Sequence, residues 1–359
     1  MKKIAFATIC IFLFVAVFSF SAAQSVQAKE KKILLKVPIA FATVLPGLGD
    51  IIVWIRDKLA AASGGSLVMK VYEPGKLVAP FEILDAVSSG KINAGYAASG
   101  YWEGKMPGIS IFTAIPFGPE APEFISWMFY GNGLKLYQEY YDQAGYNVKV
   151  LPACILSPET SGWFHKPIES VADLKGLRMR FFGLGGMTME KLGVSVSLLP
   201  GGEIFAALEK KAIDATEFSM PAIDQRLGFY KIAKYNYYPG WHQQATYLEL
   251  LINKDVWNSM SPQQQATLEM VTMAGVTYSL AETEAIQGKV IKENIEKRGV
   301  TNMYWSDEML AEFKKAWEEV AADLSQKSPM FKKTYDDLQA FRKDYAYWSN
   351  LAFLPRGKK

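Results

Sequence analysis

Apolar and polar positions alternate over Ile33 to Ile39, Leu67 to Tyr72 and Ala94 to Ala98, which predicts three strands. Between them, apolar residues recur at helical spacing from about Gly47 to Ala62 and from Pro80 to Ser88, predicting two helices. The second half repeats this alternation. Leu177 to Phe181 and Val194 to Leu198 are alternating runs, each followed by a helical pattern, so the stretch from Asp173 to Glu217 reads as β-α-β-α with Arg180 at the carboxyl end of a strand. Open α/β sheets bind ligands at that end. Glu82 to Ala94 can be laid over Glu203 to Ala215 with Glu, Ile, Ala, Ile and Ala in common. That overlay suits either two ordinary helix-to-strand units or two similar α/β lobes facing a cleft.

After Asn253 the pattern turns helical. Ser261 followed by Pro262 is a helix start, and the helix is expected to run to about Lys297. A short strand at Thr301 to Trp305 precedes the cap Ser306-Asp307-Glu308, and helices continue to about Asn350. Their Glu and Lys positions read as solvated faces. Phe313, Trp317, Phe331, Tyr335, Phe341, Tyr345 and Trp348 read as packing residues.

Lys2 and Lys3 precede an apolar run from Ile4 to Phe20, and small residues end in Val26-Gln27-Ala28. This is the pattern of a secretory signal peptide, residues 1–28, cut after Ala28. Cys10 has no lipoprotein cleavage signal before it. Without the leader the formal charge falls from +3 to +1, and nothing in that balance calls for nucleic acid. Cys154 is then the remaining cysteine, which excludes an internal disulfide. About 330 residues exceed one ordinary core, and 50% apolar content supplies two. No flexible tether separates the halves, so crossing strands should join them.

Enzyme chemistry is scarce. The two histidines, His165 and His242, sit in no metal-protease motif, and the chain has no nucleophile elbow, P-loop or paired-cysteine site. Gly183-Leu184-Gly185-Gly186 lacks the third glycine of the dinucleotide fingerprint, since position 188 is Thr, and reads as a turn. His165 reads as a surface loop residue and Cys154 as a buried apolar one. Arg180 offers a planar fork for a carboxylate. Glu159 and Glu217, if both buried, would repel each other unless a cation sat among them.

The segment Gly176-Leu177-Arg178-Met179-Arg180 resembles the solute-binding proteins of tripartite ATP-independent periplasmic (TRAP) transporters, whose ligand carboxylate is held by the second Arg of such an element. The resemblance extends through Ala114-Ile115-Pro116-Phe117-Gly118, Gly162-Trp163-Phe164, Asp214-Ala215-Thr216-Glu217 and Tyr237-Tyr238-Pro239-Gly240-Trp241 to Ala340-Phe341-Arg342. It is nearest to members that bind 2-oxo or 2-hydroxy acids with a cation. In those members G-x-Q-x-x-G-W-F places a Gln near the ligand, D-A-T-E-W supplies a Glu and the next backbone carbonyl, and P-G-W-W-E supplies a second Glu. The corresponding positions here are Glu159, Glu217 with Phe218, and Gln243, so amide and carboxylate have exchanged places.

The resemblance implies an α/β, two-domain periplasmic binding protein of type II-like architecture, with carboxy-terminal helices packing across both lobes. Residues 29–152 with about 246–290 should form one lobe, and 153–245 with about 291–359 the other. It implies a substrate site of Arg180, Glu159, Tyr101, Phe182 and Trp241, and a Na⁺ or Ca²⁺ site of Glu159, Glu217, Phe218 and Gln243. Oxygen donors of this kind suit those ions. The aromatic wall, which replaces a compact I-G-G after the Arg with Phe181-Phe182-Gly183, points to an apolar or aromatic side chain on the ligand. The expected role is a periplasmic receptor, without organic cofactor or enzymatic activity, that hands a monocarboxylate to membrane permease subunits and could pair as a homodimer. An enzyme of lyase or transferase type on the same scaffold, and the ligand-binding partner of a signalling system, are the alternatives.

Overall fold

The computed structural model describes residues 30–354, so the predicted signal peptide lies outside the described residues. From Ile33 onward, strands β1 to β11 in chain order form three sheets, of two, three and six strands. β1 (Ile33–Pro38) and β2 (Leu67–Tyr72) pair in parallel, joined by the crossover helix Ile51–Ala62. The alternation in β1 is a real half-buried face: Ile33, Leu35 and Val37 point inward, while Leu34 and Lys36 are exposed. A parallel bridge from Ile39 to Tyr96 carries this layer onto β3 (Ala94–Ala97).

β3, β10 (Thr246–Asn253) and β4 (Val148–Leu156) make the three-stranded sheet, with β10 antiparallel to both neighbours. All eight residues of β10 are buried, as expected for a central strand covered on both faces. One cover is the helix Pro262–Arg298, started by a capping box of Ser261 with Gln264 and stopped at Gly299, whose φ is +67°. It lies so close to β4 that a Cβ on Gly275 would stand 2.7 Å from the Ala153 carbonyl oxygen. Ser279 there donates to the Ile155 carbonyl at 3.0 Å and accepts from the Ile155 N–H at 3.0 Å.

The six-stranded sheet has the order β11-β9-β5-β8-β6-β7. β6 (Arg178–Arg180), β7 (Ser195–Ser197) and β8 (Ala215–Thr216) run parallel, with β5 (Gly162–Phe164) antiparallel between β8 and β9 (Tyr235–Tyr238), and β11 (Thr301–Tyr304) on the edge. Its covering helix Gly183–Lys191 carries Asp307–Lys327, while the last helix, Pro329–Ala352, packs on Ala121–Phe129 and Gly133–Gln143 beside the three-stranded sheet. The carboxy-terminal pair thus spans both halves. The chain passes between the two larger sheets at residues 157–161 and 239–245, and a third time through the helix Pro262–Arg298 into β11. Among the described residues no helix is long and apolar enough to cross a membrane.

Three expectations shift. The first helix starts at Ile51, because the Asp50 carboxylate accepts from the Gly47 N–H at 2.7 Å and holds the preceding residues in a turn. Pro80 to Ser88 divides into a 3₁₀ turn, Pro80–Glu82, and the helix Ile83–Ser88. Trp348 is 62% exposed, whereas Phe313, Trp317 and Phe331 are buried. It stands near the outer end of the last helix, beyond Leu338, the last core residue there.

Candidate functional site

The site is assembled from the ends of strands and the first two crossing segments. β6 delivers Arg180 at its last residue, in register with Thr216 of β8 and Ser197 of β7. The next residue after β8 is Glu217, whose N–H donates to the Arg180 carbonyl at 3.0 Å. Glu159 lies in the first crossing and Gln243 in the second, tied together by a bond from the Glu159 N–H to the Gln243 carbonyl at 3.1 Å. Glycine at 240 permits that approach, because a Cβ there would stand 2.1 Å from the Glu159 carbonyl oxygen.

Arg180 is 1% exposed. Its Nη1 donates to the Glu217 carbonyl at 2.6 Å and to Glu217 Oε2 at 2.9 Å, and its Nε donates to the Leu199 carbonyl at 3.2 Å. The rings of Phe218 and Phe182 lie 5.0 and 6.0 Å from its Cζ. Phe182 reaches across to the other half, where Gly100 leaves it room: a Cβ at 100 would sit 2.2 Å from the ring. Glu159 Oε1 accepts from Thr246 Oγ1 at 3.0 Å and from Ser219 Oγ at 3.3 Å, and Gln243 Nε2 donates to Thr246 Oγ1 at 2.8 Å.

One small cavity of about 30 Å³ has Tyr101, Glu159, Arg180, Phe182, Phe218 and Gln243 in its wall, whereas Glu217 is not part of that wall. Phe41, Leu48, Ala98, Leu156 and Leu248 supply its apolar remainder. Trp241 is not part of that wall. Its ring packs 4.9 Å from Phe313 and 5.6 Å from Phe117, in the core under the six-stranded sheet.

The electrostatics are unbalanced. Burial pushes Glu159 well above the ordinary carboxyl range, and the charges of Glu217 and Asp224 push it further. Burial alone would raise Glu217 as well, but the Arg180 charge and His242 beside it hold it below its ordinary value. The Tyr101 hydroxyl closes no hydrogen bond and is raised by burial to about 12, against the pull of Arg180. Glu159 Oε2, Glu217 Oε1 and Gln243 Oε1 are buried without a hydrogen-bond partner. Each such group costs about 1–3 kcal/mol unless something completes it. Oxygen acceptors converging with excess negative charge are the donor set of a cation, so the residues present fit one.

Two buried residues escaped the sequence reading. His242 stands with Nε2 3.4 Å from Glu217 Oε1, and neither ring nitrogen closes a hydrogen bond. Glu159, Glu217 and His242 can each offer a ligand atom within 4.8 Å of the others. A signal was available, since His242 occupies the second Trp of the P-G-W-W-E pattern. Asp224, on the helix Pro221–Leu227, accepts from Trp163 Nε1 at 2.8 Å and is raised by burial, with Glu217 adding to it, to about 8. His165 is exposed, and Cys154 is a buried free thiol raised by burial to about 12.

Two mixed α/β halves joined by crossing segments, with a charged, half-satisfied cavity between strand ends, define a ligand-binding protein of the two-lobed periplasmic class. The chain belongs to the bacterial extracellular solute-binding proteins, family 7, which it matches over residues 53–328. It is 34% identical over 297 residues to a monocarboxylate 2-oxoacid-binding periplasmic protein of Nostoc sp., covering 83% of this chain and 81% of that protein. A TRAP transporter solute-binding protein from Bordetella bronchiseptica, solved as a mixed-occupancy dimer with calcium and picolinate bound at one site, superimposes with a TM-score of 0.87. It is 30% identical, over 90% of this chain and 95% of that one. A TRAP periplasmic solute-binding protein from Pseudoalteromonas atlantica, with sodium and pyruvate bound, gives 0.86 at 30% identity, over 90% and 97%. The protein is therefore a solute receptor of TRAP type and not an enzyme.

Proposed function

We propose that this receptor binds a small 2-oxo or 2-hydroxy monocarboxylate in the cleft between its halves and delivers it to the membrane permease of a TRAP transporter. The observation that carries this reading is the buried fork of Arg180 lining a cavity together with Glu159, while Glu217, outside the cavity wall, pairs with that fork, and each carboxylate keeps one unpaired oxygen. Arg180 would take the ligand carboxylate through its guanidinium. Glu159, Glu217, Gln243 and the Phe218 carbonyl would hold a cation, which supplies the positive charge that lets two acids and an anionic ligand share one site. Relatives that carry sodium with pyruvate or calcium with picolinate support this. The cavity is small, and its largely apolar wall of Leu48, Leu156 and Leu248 is already crowded by Phe41, Tyr101, Phe182 and Phe218, which favours a ligand with a short side chain.

The halves divide at the crossings 157–161 and 239–245, and closure about them stabilises the ligand because residues of both sides touch it. The mature chain begins near Lys29 in the periplasm, which an intact mass of the exported protein checks. Pairing of two copies is supported by the dimeric Bordetella relative and by Trp348, Leu351 and Leu354, exposed at the end of the last helix. Light scattering of the mature protein tests it, and a monomer at high concentration would refute it.

Isothermal titration with pyruvate, a branched aliphatic 2-oxo acid and phenylpyruvate, each with and without Ca²⁺ or Na⁺, tests the main reading. Cation-dependent heat for the first two is expected. No binding of any 2-oxo or 2-hydroxy acid under any condition would overturn it.

A further inference from the structure

His242 is the one buried histidine of a chain that has two. Its ring is wedged edge-on between Phe181, 4.9 Å away, and Trp241, 5.6 Å away. If it were there for packing, an indole or phenyl would serve as well. A packing role also leaves both imidazole nitrogens buried and without hydrogen bonds, which is an unusual state for a polar side chain. The unpaired atoms around it are Glu159 Oε2, Glu217 Oε1 and Gln243 Oε1. Glu159, Glu217 and His242 can bring one ligand atom each to within 4.8 Å of one another.

We propose, on the reading of the cleft as a cation-assisted carboxylate site, that His242 is a nitrogen ligand to the cation. The site would then select a divalent first-row transition ion of the Zn²⁺ or Co²⁺ kind over Na⁺ and Ca²⁺. Donor chemistry is the reason. Carboxylate, amide and carbonyl oxygens alone suit hard cations, whereas an imidazole nitrogen joined to two carboxylates suits borderline ions. His242 thus makes the candidate ligand set mixed nitrogen and oxygen, with two carboxylates beside it.

The test uses the full mature protein, stripped with a chelator and titrated calorimetrically with Zn²⁺, Co²⁺ and Ca²⁺ alone. Wild type should bind Zn²⁺ and Co²⁺ at least about 10-fold more tightly than Ca²⁺. His242→Gln and His242→Phe should each lose about 10–100-fold in Zn²⁺ and Co²⁺ affinity, with Ca²⁺ binding to His242→Gln little changed. His165→Gln, at the exposed histidine, should bind as wild type does. Should either His242 variant fail to fold, electron spin echo of the Cu²⁺-loaded wild type decides without a mutant, because one coordinated imidazole imprints its nitrogen coupling. Equal Zn²⁺ affinity in wild type and both His242 variants, a parallel loss of Ca²⁺ binding, or a Cu²⁺ spectrum without imidazole nitrogen would each overturn the proposal. Pyruvate binding in the same samples keeps the two readings apart. Pyruvate bound with Ca²⁺ but no nitrogen coupling sinks the histidine ligand alone, and nitrogen coupling with no 2-oxo acid bound sinks the receptor reading alone.

Discussion

Two buried acidic centres, Glu249 on β10 and the Glu159–Glu217 pair in the cleft, are finished to different degrees. In the three-stranded sheet, Glu249 Oε1 accepts from Trp102 Nε1 at 2.8 Å and Tyr141 Oη at 2.7 Å, while Oε2 accepts from Tyr141 at 2.7 Å and from Tyr137. Both of its oxygens are satisfied by groups brought from other elements of the same half. In the cleft, Glu159 and Glu217 each keep one oxygen without a partner, and the Arg180 guanidinium is the cation beside them. A buried carboxylate that the fold completes has its acceptors satisfied by the protein alone, whereas one left incomplete carries an acceptor that the described residues do not satisfy.

The largest effect should come from Arg180. Arg180→Gln leaves Glu217 buried without its cation and should cost about 3–5 kcal/mol of stability in denaturant melts. Arg180→Lys should fold yet lose at least about 2 kcal/mol of affinity for a 2-oxo acid in titration calorimetry, since a point ammonium cannot match a paired fork. Near-wild-type binding by the Lys variant would take Arg180 out of the site and erase the contrast with Glu249.

A smaller effect tests the cleft carboxyls against each other. Glu217→Gln, like chelation in Na⁺-free buffer, should weaken ligand binding by about 10-fold or more. The double change Glu159→Gln with Gln243→Glu restores the arrangement of the related receptors and should bind better than either single change. Strict additivity of the two single changes would mean that the positions do not share a cation.

The smallest effect falls on Glu249 and concerns pH. Burial raises it from the model-peptide value of 4.5 to about 7, with the three donors pulling the other way. The folded state therefore holds this proton more tightly than the unfolded chain does. Its contribution is fully present below about 4.5 and is lost as pH rises toward 7, about 3 kcal/mol across that window at 1.4 kcal/mol per unit. Glu249→Gln should flatten that part of the stability–pH curve and leave 2-oxo acid affinity unchanged. A change in ligand affinity would show that the two acidic centres are coupled.

Much of this architecture was readable from the chain itself. β2 falls where the alternation of Leu67 to Tyr72 placed it, and β6 ends on Arg180, after which Phe181 and Phe182 lead into the helix Gly183–Lys191, so the glycines expected to form a turn are instead the start of that helix. The overlay of Glu82 to Ala94 on Glu203 to Ala215 matches a helix that runs into a strand in both cases, β3 starting at Ala94 and β8 at Ala215. Trp241 and His242 were less legible. They are neighbours in a segment without regular structure, and one ring enters the core beside Phe313 while the other faces Glu217.

The sequence by itself determined the class: an α/β solute receptor of TRAP type, with an arginine at a strand end and no recognised enzymatic motif. These are properties of local period and residue type, which backbone geometry translates directly into strands, helices and their ends. Only the tertiary structure decided which polar atoms would be left without partners and that His242 would stand beside Glu217, 3.4 Å away. Side-chain direction in the irregular crossings at 157–161 and 239–245 has no period to read. It is set by the packing of segments far apart in the chain, and hydrogen-bond completion can be judged only once they meet.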